Sequence, residues 1–395
     1  MVVKGEHHAV VVGGGIAGLA AAVSLVREGW KVTVLERARA FTEVGAGLTI
    51  TPNGMSALAS LGVDAAVRDA GYRVRMAGTT DEHGSWLLRV PLASRSGSSQ
   101  EIYGIHRQDL HGVLLAAAHG AVLMSGTQVI SVTPGTPGGA KAQVDCVSEK
   151  GAVSYDADLV IGADGLRSTV RGLVAPGTAP RFSGKSSWRG IVPDSTLVTE
   201  DFTIRWGPGT EFGAVRIGAA EVYWYGYTSS KEGHRRPDEK AAAMHHFRGW
   251  ADPVRPLIDR TPGDQIIRHD VYDLAPDLRT YIFGRVVLIG DAAHAMIPTM
   301  GQGANSSLED GACVGLLIGR PVNEGVSLQS ALSTFDASRR PRTQKIARQS
   351  RSAGQVGADL ESRISITVRN TVMRVVPAGP AMKAGASVLG WKATT

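Results

Sequence analysis

The sequence predicts an α/β fold in which a parallel sheet is interrupted by an inserted antiparallel sheet and followed by C-terminal helices. Three observations lead to this prediction: a strand–turn–helix–strand unit at the N-terminus, two apolar strands far downstream that each end in an acidic turn, and an aromatic-rich stretch between those strands. With 395 residues, of which 43% are apolar, the chain is long enough for two or three domains and a large buried core.

The N-terminal unit has the pattern of a βαβ unit of about 30 residues, the building block of parallel sheets. Residues 9–12 form a β-branched apolar run typical of a strand that is buried on both faces. Residues 17–28 are strong helix formers that Gly29 stops, and residues 31–35 are the next strand. The uncharged run over residues 9–26 imitates a signal peptide or a short membrane span, but its glycines interrupt an apolar helix, so we expect no integral membrane segment.

Two apolar strands downstream close on acidic turns. Residues 159–163 are followed by Asp164, and residues 286–289 are followed by a Gly-Asp turn that contains Asp291. In open α/β sheets, ligands bind outside the carboxyl ends of the parallel strands. We therefore expect these two strand ends and the N-terminal unit to share one ligand site.

The chain between these strands, and the chain after them, have a different character. Residues 181–228 are rich in Trp, Tyr, Val and Thr with turn residues at short spacing, which is typical of an antiparallel sheet. Beyond Arg340 the spacing is helical, with interruptions at Pro377 and Pro380, which predicts a helical cover. A membrane-surface helix over residues 372–391 is the alternative, but the charges and prolines of this stretch favour the cover.

Charge and cysteine content exclude several classes of function. The 42 Lys and Arg residues exceed the 36 Asp and Glu residues, but both signs are interspersed without a basic run, so we expect no nucleic-acid partner. Cys146 and Cys313 form no CxxC pair, which favours neither disulfides nor a zinc site and fits a reducing, cytoplasmic compartment. His294 follows Asp291 by three residues, but no third ligand is suitably spaced, so we expect no metal site.

A GxGxxG motif lies where a dinucleotide-binding fold requires it, after a strand and at the start of a helix. Gly13 is expected to make the tight turn, Gly15 to let a pyrophosphate approach the backbone, and Gly18 to let helix and strand pack closely. The helix N-terminus favours the phosphate charge, and Glu36 can accept hydrogen bonds from an adenosine ribose. NAD and FAD sites share this motif, so it does not choose between them.

Three segments in sequence order resemble the class A flavoprotein monooxygenases, the family of para-hydroxybenzoate hydroxylase. The first is the GxGxxG unit with Glu36 and Arg37, the second is DLVIGADGLRSTVR over residues 158–171, and the third is GRVVLIGDAAHAMIPTMGQGANSSLEDG over residues 284–311. The third is similar in wording to zeaxanthin epoxidase, urate hydroxylase and salicylate hydroxylase. The resemblance implies a Rossmann-like FAD-binding domain with an inserted antiparallel-sheet substrate domain and C-terminal helices.

The predicted domains are discontinuous. The FAD-binding domain is predicted over residues 1–75, 101–180 and 268–345, the substrate domain over residues 76–100 and 181–267, and the C-terminal helical cover over residues 346–395.

FAD is therefore the expected cofactor, and the resemblance implies which residues contact it. They are Gly13, Gly15, Ala17, Gly18, Glu36, Arg37, Thr49, Arg107, Val129, Asp164, Asp291, Gly301, Gln302, Gly303, Ala304 and Asn305. Among them, Asp291 can accept hydrogen bonds from polyol hydroxyls such as those of ribitol. The run from residue 301 to 305 precedes a helix, whose N-terminus would stabilise the negative charge of reduced flavin by about 0.3 to 1 kcal/mol.

The resemblance also implies the chemistry. NADPH or NADH reduces FAD, O2 adds to the flavin, and the C4a-hydroperoxyflavin inserts one oxygen atom into a small organic substrate. Because the flavin supplies this chemistry, no side chain is assigned a certain catalytic role. The sequence displays no obvious base, which favours a neutral, lipophilic substrate. The expected substrate is lipophilic or aromatic, and hydroxylation and epoxidation both stay open. A flavin-dependent reductase or desaturase of the same fold is the alternative function.

The inserted sheet is expected to line a substrate pocket beside the flavin and to keep water out. The candidate pocket residues are Trp188, Arg189, Trp206, Tyr225, Tyr227 and Pro298. Strand residues alternate between two faces, so only some of these side chains can point at the flavin. The chain itself is expected to act as a monomer or homodimer.

Overall fold

The computed structural model describes residues 7–42, 45–92, 101–375 and 387–393, which form parallel and antiparallel sheets covered by helices. The strands of these residues are β1 (His8–Val12), β2 (Lys31–Leu35), β3 (Gly47–Ile50), β4 (Tyr72–Val74), β5 (Met76–Asp81), β6 (Trp86–Pro91), β7 (Ile102–His106), β8 (Val122–Met124), β9 (Gln128–Thr133), β10 (Ala142–Ser148), β11 (Gly151–Ala157), β12 (Leu159–Gly162), β13 (Ala179–Val192), β14 (Phe202–Gly207), β15 (Thr210–Arg216), β16 (Val222–Ser229), β17 (Ile267–Ala275), β18 (Ile282–Phe283) and β19 (Val286–Leu288).

The helices cover the sheets and connect their strands. They are α1 (Ile16–Arg27), α2 (Pro52–Ser60), α3 (Asp64–Ala70), α4 (Arg107–Ala117), α5 (Thr169–Val174), α6 (Glu239–His246), α7 (Val254–Arg260), α8 (Asp291–His294), α9 (Gly303–Val314), α10 (Arg320–Asn323), α11 (Leu328–Val356) and α12 (Arg363–Val375). A short π-helical segment, Gly315–Gly319, joins α9 to α10.

The parallel sheet has the order β18-β19-β12-β1-β2-β8, in which only the edge strand β18 runs antiparallel. Strand β1, in the middle of this sheet, is buried on both faces, as its β-branched apolar composition predicts. Ala9 and Val11 face a core shared with α1 and α11, whereas Val10 faces a core shared with the three-stranded sheet β11-β10-β9. The predicted bounds of the N-terminal βαβ unit lie within one residue of those observed.

The second large sheet has the order β17-β13-β16-β15-β14-β5-β6 and is antiparallel except for the pair β14-β5. Its side chains alternate between two faces. On one face, Trp188, Phe212 and Trp224 pack against residues of α6 and α7. The opposite face lines a cavity together with residues that follow the carboxyl ends of parallel-sheet strands. Because β17 pairs with β13 as far as Ala275, this sheet continues past the predicted substrate-domain end at residue 267. The parallel and antiparallel sheets together confirm the predicted α/β fold class.

The C-terminal part begins with the long helix α11, which starts well before the predicted boundary at residue 346 and contains Pro341 in its interior. The predicted cover therefore does not start as a separate element at that residue. Helix α12 follows, and Pro377 and Pro380 lie outside the described residues. Within the described part of the chain, none of the helices combines the length and apolar character that crossing a membrane requires.

Candidate active site

The turn between β1 and α1 is held between two other strands. Gly13 N donates to the Leu35 carbonyl oxygen at 2.8 Å, and Gly13 has a φ of +104°, which L side chains rarely adopt. A Cβ at this position would lie 2.5 Å from the Ala163 carbonyl oxygen. The turn therefore requires glycine, both for its backbone conformation and for its close approach to the end of β12.

Glu36 is fixed at the end of β2. Its two carboxylate oxygens accept hydrogen bonds from Gly14 N and from Ala38 N, both at 2.8 Å. His111 contacts the same turn, with Nε2 lying 2.8 Å from the Gly14 carbonyl oxygen. Each Glu36 oxygen keeps acceptor capacity for a further donor, such as a ribose hydroxyl.

A first cavity of about 290 Å³ opens beside this turn. The predicted residues that line it are Gly13, Gly15, Glu36, Arg37, Arg107, Val129 and Asp164, together with Arg167. Helix α1 begins at this cavity, and among the described residues no side chain caps its start. The free N–H groups of that first turn can therefore hold an anion.

Asp164 has a second role within the chain. Its carboxylate accepts one hydrogen bond from Ser168 Oγ and another from Val170 N at 3.1 Å. These bonds order the start of α5, while the residue also lines the first cavity.

The Gly-Asp turn after β19 is tied down by a buried ion network that the sequence did not predict. Gly290 N donates to Asp310 Oδ2 at 2.9 Å, and the same oxygen lies 2.6 Å from His294 Nε2. Arg339 Nε donates to the other oxygen of Asp310 at 2.7 Å. Burial alone would raise the pKa of Asp310, but the charges of His294 and Arg339 and the hydrogen bonds lower it to about 2. The carboxylate is therefore ionised and holds the turn, α9 and α11 together.

A second cavity of about 410 Å³ extends from this turn to the antiparallel sheet. It shares Gly15, Arg107, Ala163 and Gly165 with the first cavity, so the two adjoin. The predicted residues that line it are Gly15, Ala17, Thr49, Arg107, Arg189, Tyr225, Tyr227, Asp291, Pro298, Gly301, Gly303 and Ala304. Gly47, the first residue of β3, also lines this cavity.

Three predicted cofactor contacts lie outside both cavities. Asn305 Oδ1 accepts from Thr51 N at 3.0 Å and Asn305 Nδ2 donates to the Thr49 carbonyl oxygen at 3.0 Å, so this side chain braces the chain between β3 and α2. Gln302 Nε2 donates to Thr51 Oγ1 at 3.2 Å and has the same bracing function. Gly18 packs on the glycine turn, because a Cβ there would lie 1.9 Å from the Gly13 carbonyl oxygen.

Both predicted pocket tryptophans are also outside the cavity lining. Trp188 points to the opposite face of the sheet, where Nε1 donates to Glu239 Oε2 at 2.8 Å and the ring packs 6.2 Å from Phe247. Its neighbours Ser187 and Arg189 face the cavity instead, because strand side chains alternate. Trp206 shares its face of β14 with the cavity-lining residues Phe202 and Ile204 but does not itself line the cavity, and its Nε1 donates a hydrogen bond to a residue that does.

That residue is Glu211 on β15, which sequence reasoning missed. It lines the second cavity and is 5% exposed. Trp206 Nε1 donates to its Oε2 and Tyr225 OH donates to its Oε1, both at 2.7 Å. Burial raises the pKa of Glu211, although these two hydrogen bonds lower it, and the nearby charge of Asp359 raises it further. The available sequence signal was an acidic residue that shares one face of a strand with Gly213 and Val215.

Tyr225 reaches Glu211 because its strand neighbour is a glycine. Gly213 pairs with Tyr225 in the sheet, and a Cβ on Gly213 would lie 2.1 Å from the Tyr225 ring. The ring therefore lies directly over the backbone of β15, with its hydroxyl on the carboxylate. Burial and the charge of Glu211 raise the pKa of Tyr225, so the hydroxyl remains a donor.

The two adjoining cavities fit FAD. A Cβ would fill the backbone cradle at Gly13, the starts of α1 and α9 have no side-chain cap among the described residues, and Asp291 faces the second cavity as an exposed acceptor. These features offer donors to a pyrophosphate and an acceptor to polyol hydroxyls.

Comparison with known proteins agrees with this fit. The family model described as FAD binding domain matches residues 6–350. The chain is 35% identical to aurachin C monooxygenase/isomerase from Stigmatella aurantiaca over 370 residues, which cover 93% of this chain and 94% of that protein. It is 32% identical to 2-heptyl-3-hydroxy-4(1H)-quinolone synthase from Pseudomonas aeruginosa over 376 residues, again covering 93% of this chain and 94% of the relative.

A solved structure has the same fold. Klebsiella pneumoniae HpxO complexed with FAD and uric acid superposes with a TM-score of 0.86 at 24% identity, covering 98% of this chain and 97% of that one. The predicted cofactor, FAD, is thereby confirmed, and the chain belongs to the FAD-dependent class A flavoprotein monooxygenases.

Proposed function

We propose that this monooxygenase uses NADPH or NADH, together with O2, to hydroxylate a small and largely apolar aromatic or heteroaromatic substrate. The observation that carries the proposal is the second cavity, which runs from Asp291 and the start of α9 to the antiparallel sheet. Phe202, Ile204 and Val215 form an apolar part of that sheet wall. Its volume of about 410 Å³ lies near the lower end of the usual range for small-molecule sites, about 300 to 1,000 Å³.

The placement of the predicted contacts supports a particular way of holding the cofactor. Glu36 would accept hydrogen bonds from the adenosine ribose, the start of α1 at Gly15 would hold the pyrophosphate, and Asp291 would accept from the ribitol hydroxyls. The flavin ring would lie against the start of α9, where Gly303 and Ala304 line the second cavity. That helix start favours negative charge on the ring, with a stabilisation of about 0.3 to 1 kcal/mol.

When bound, FAD supplies the transfer of electrons to O2 and the oxygen insertion. The overall reaction would convert substrate-H, O2, NAD(P)H and a proton into substrate-OH, NAD(P)⁺ and water. The chain's own residues would orient the ring and exclude water, since side chains such as Ile204 and Met300 give the second cavity an apolar wall.

The names of the relatives support hydroxylation over epoxidation and over a reductase or desaturase reaction. The Pseudomonas aeruginosa relative is named for a product that carries a ring hydroxyl and a heptyl chain, which favours hydroxylation over epoxidation. The Stigmatella aurantiaca relative is named as a monooxygenase, which favours oxygen insertion over a reductase or desaturase reaction.

The test is an isotope experiment on the FAD-loaded enzyme. The enzyme is incubated with NADPH or NADH, ¹⁸O2 and a panel of 2-heptyl-4(1H)-quinolone, 3-hydroxybenzoate, salicylate and an apolar alkene, and the products are analysed by mass spectrometry. We expect one ¹⁸O atom in a ring-hydroxylated product. An epoxide, or substrate-stimulated NAD(P)H oxidation with no ¹⁸O in any product, would overturn the proposal.

A further inference from the structure

Two side chains of opposite charge face the second cavity from the same sheet. Glu211 lies on β15 and Arg189 on β13, with β16 between them. Arg189 pairs with Tyr225, which pairs with Gly213, two residues from Glu211. Because neighbouring strands lie about 4.8 Å apart, the two backbones are about 10 Å apart across the sheet. An aromatic ring can therefore lie over Tyr225 with one edge toward each charged group.

Glu211 is positioned as a hydrogen-bond acceptor. One donor on each oxygen, Trp206 Nε1 and Tyr225 OH, fixes the plane of the carboxylate. A carboxylate oxygen accepts more than one hydrogen bond, so acceptor capacity remains on the cavity side. A buried carboxylate with unused capacity gains most from a ligand donor, since no bulk water competes for it.

Arg189 is positioned as the matching donor. Its Nε is buried without a hydrogen-bond partner, and among the described residues no carboxylate pairs with its guanidinium. Burial and the charge of Arg189 lower the pKa of the nearby His269 to about 4, so this imidazole stays neutral and brings no negative charge to Arg189. An oxygen acceptor on a ligand would satisfy the Arg189 side chain.

We infer that Glu211 and Arg189 select a conjugated ring with an N–H or O–H donor on the edge facing Glu211 and a carbonyl or related oxygen acceptor on the edge facing Arg189. This inference rests on the proposed function and deepens it by naming the substrate class. A 4(1H)-quinolone has both groups, on opposite sides of one ring. A ring without the donor leaves the Glu211 carboxylate buried and unmatched, which weakens its binding.

The test compares matched probes on the FAD-loaded enzyme, with binding followed by the change in flavin absorbance. The first pair is 2-heptyl-4(1H)-quinolone and its N-methyl derivative, which lacks the donor. The second pair is 3-hydroxybenzoate and 3-methoxybenzoate. Hydrogen bonds to charged groups predict that removing the donor weakens binding by about tenfold or more in at least one pair. Removing the quinolone carbonyl, as in 2-heptylquinoline, is expected to have a similar effect.

Variants assign each effect to its residue. In Glu211→Gln, the ligand with the N–H or O–H donor and its methylated partner are expected to differ in affinity by less than threefold. In Arg189→Met, 2-heptyl-4(1H)-quinolone and 2-heptylquinoline should bind with similar affinity. Glu232→Gln makes the same chemical change at an exposed residue outside the cavity and should behave as the native enzyme does. Equal binding within both pairs by the native enzyme overturns the inference, as does a preference that survives in Glu211→Gln.

The native-enzyme comparison needs no variant, so a substitution that fails to fold leaves the test intact. The ¹⁸O experiment judges the proposed function separately. Oxygen insertion into a ring without a donor, with equal binding within both probe pairs, would remove this inference and leave the hydroxylase function in place.

Discussion

The two cavities are built in different ways. The first is shaped by backbone: a glycine turn, helix starts and one carboxylate whose oxygens bond to main-chain N–H groups. The second is shaped by side chains that several strands of the antiparallel sheet bring to one face. A backbone-built site binds a constant group such as a pyrophosphate, and it tolerates few substitutions. A side-chain-built site can change with its ligand, because the strands beneath it do not depend on any one of those side chains.

The largest expected effect concerns the buried ions that hold the Gly-Asp turn after β19. Arg339 is fully buried and contacts Glu309 and Asp310, each at 2.7 Å. Arg339→Met leaves two buried carboxylates without this cation, and we expect the free energy of unfolding to fall by about 3 to 5 kcal/mol. Urea unfolding of the FAD-saturated native enzyme and variant measures this change in the free energy of unfolding.

The neighbouring Arg340→Met is the matched control. Arg340 forms a partly exposed pair with Asp336 within the same helix, and such pairs contribute about 0 to 1 kcal/mol. Equal losses for the two variants would show that burial of the network does not matter.

The second prediction compares two glycines with positive φ at opposite ends of α1. Gly13→Ala places a Cβ against the Ala163 carbonyl oxygen, whereas Gly29→Ala meets no atom within 4 Å. We expect Gly13→Ala to weaken FAD binding at least tenfold, about 1.4 kcal/mol or more. Gly29→Ala should cost only the strain of its backbone conformation, about 1 to 2 kcal/mol of stability, with FAD affinity unchanged. Fluorescence titration with FAD decides, and similar FAD affinities would contradict the idea of a cradle that only glycine allows.

The third prediction separates the two faces of the antiparallel sheet. Tyr225→Phe removes a hydrogen bond to the Glu211 carboxylate and should lower kcat/KM by about tenfold. Trp188→Phe removes a hydrogen bond on the other face and should lower the free energy of unfolding by about 1 kcal/mol while kcat/KM stays within twofold. Steady-state kinetics with the substrate found in the isotope experiment would detect a reversed pattern.

The smallest effect is a pH dependence with opposite signs for binding and stability. Burial raises the pKa of Glu211, with Tyr225, Trp206 and Asp359 as its polar neighbours. The folded state therefore favours the protonated carboxyl. Relative to Glu211→Gln, the stability of the native enzyme should fall as pH rises through that raised pKa.

Over the same pH range, affinity for a donor-bearing ring should increase, since only the ionised carboxylate is a full acceptor. Denaturation and binding curves between pH 4 and 8 test both signs. A flat stability difference between the native enzyme and Glu211→Gln would show that Glu211 is not perturbed.

The same contrast explains what the sequence could predict. The glycine turn, Glu36 and the buried strand β1 are encoded within one short segment, so local rules were sufficient. Asp164 and Asp291 follow the carboxyl ends of parallel strands, where ligands bind in open α/β sheets. This general rule was sufficient to predict that both line one site. The family resemblance supplied the cofactor, which no local pattern specifies.

Other features depend on pairings between distant strands. Arg189 faces the second cavity and Trp188 faces away from it. Alternation predicts that these neighbours face opposite sides of β13, but it does not predict which side faces the parallel sheet. Glu211 was missed because its burial comes from the rings of Trp206 and Tyr225, which β14 and β16 bring to it. The continuous helix α11 was divided at residue 346 because its packing on α9 is not visible in helical spacing.

The alternation of the antiparallel sheet has a practical consequence for changing what the enzyme accepts. The residues of β13, β15 and β16 that line the second cavity alternate with residues that pack against α6 and α7. A combinatorial library confined to Arg189, Ile204, Glu211 and Tyr227 would thus explore new ligand shapes and polarities. The helix-packed tryptophans and the glycine turn between β1 and α1 would stay unchanged, so selectivity could be redesigned without altering the residues that support the sheet.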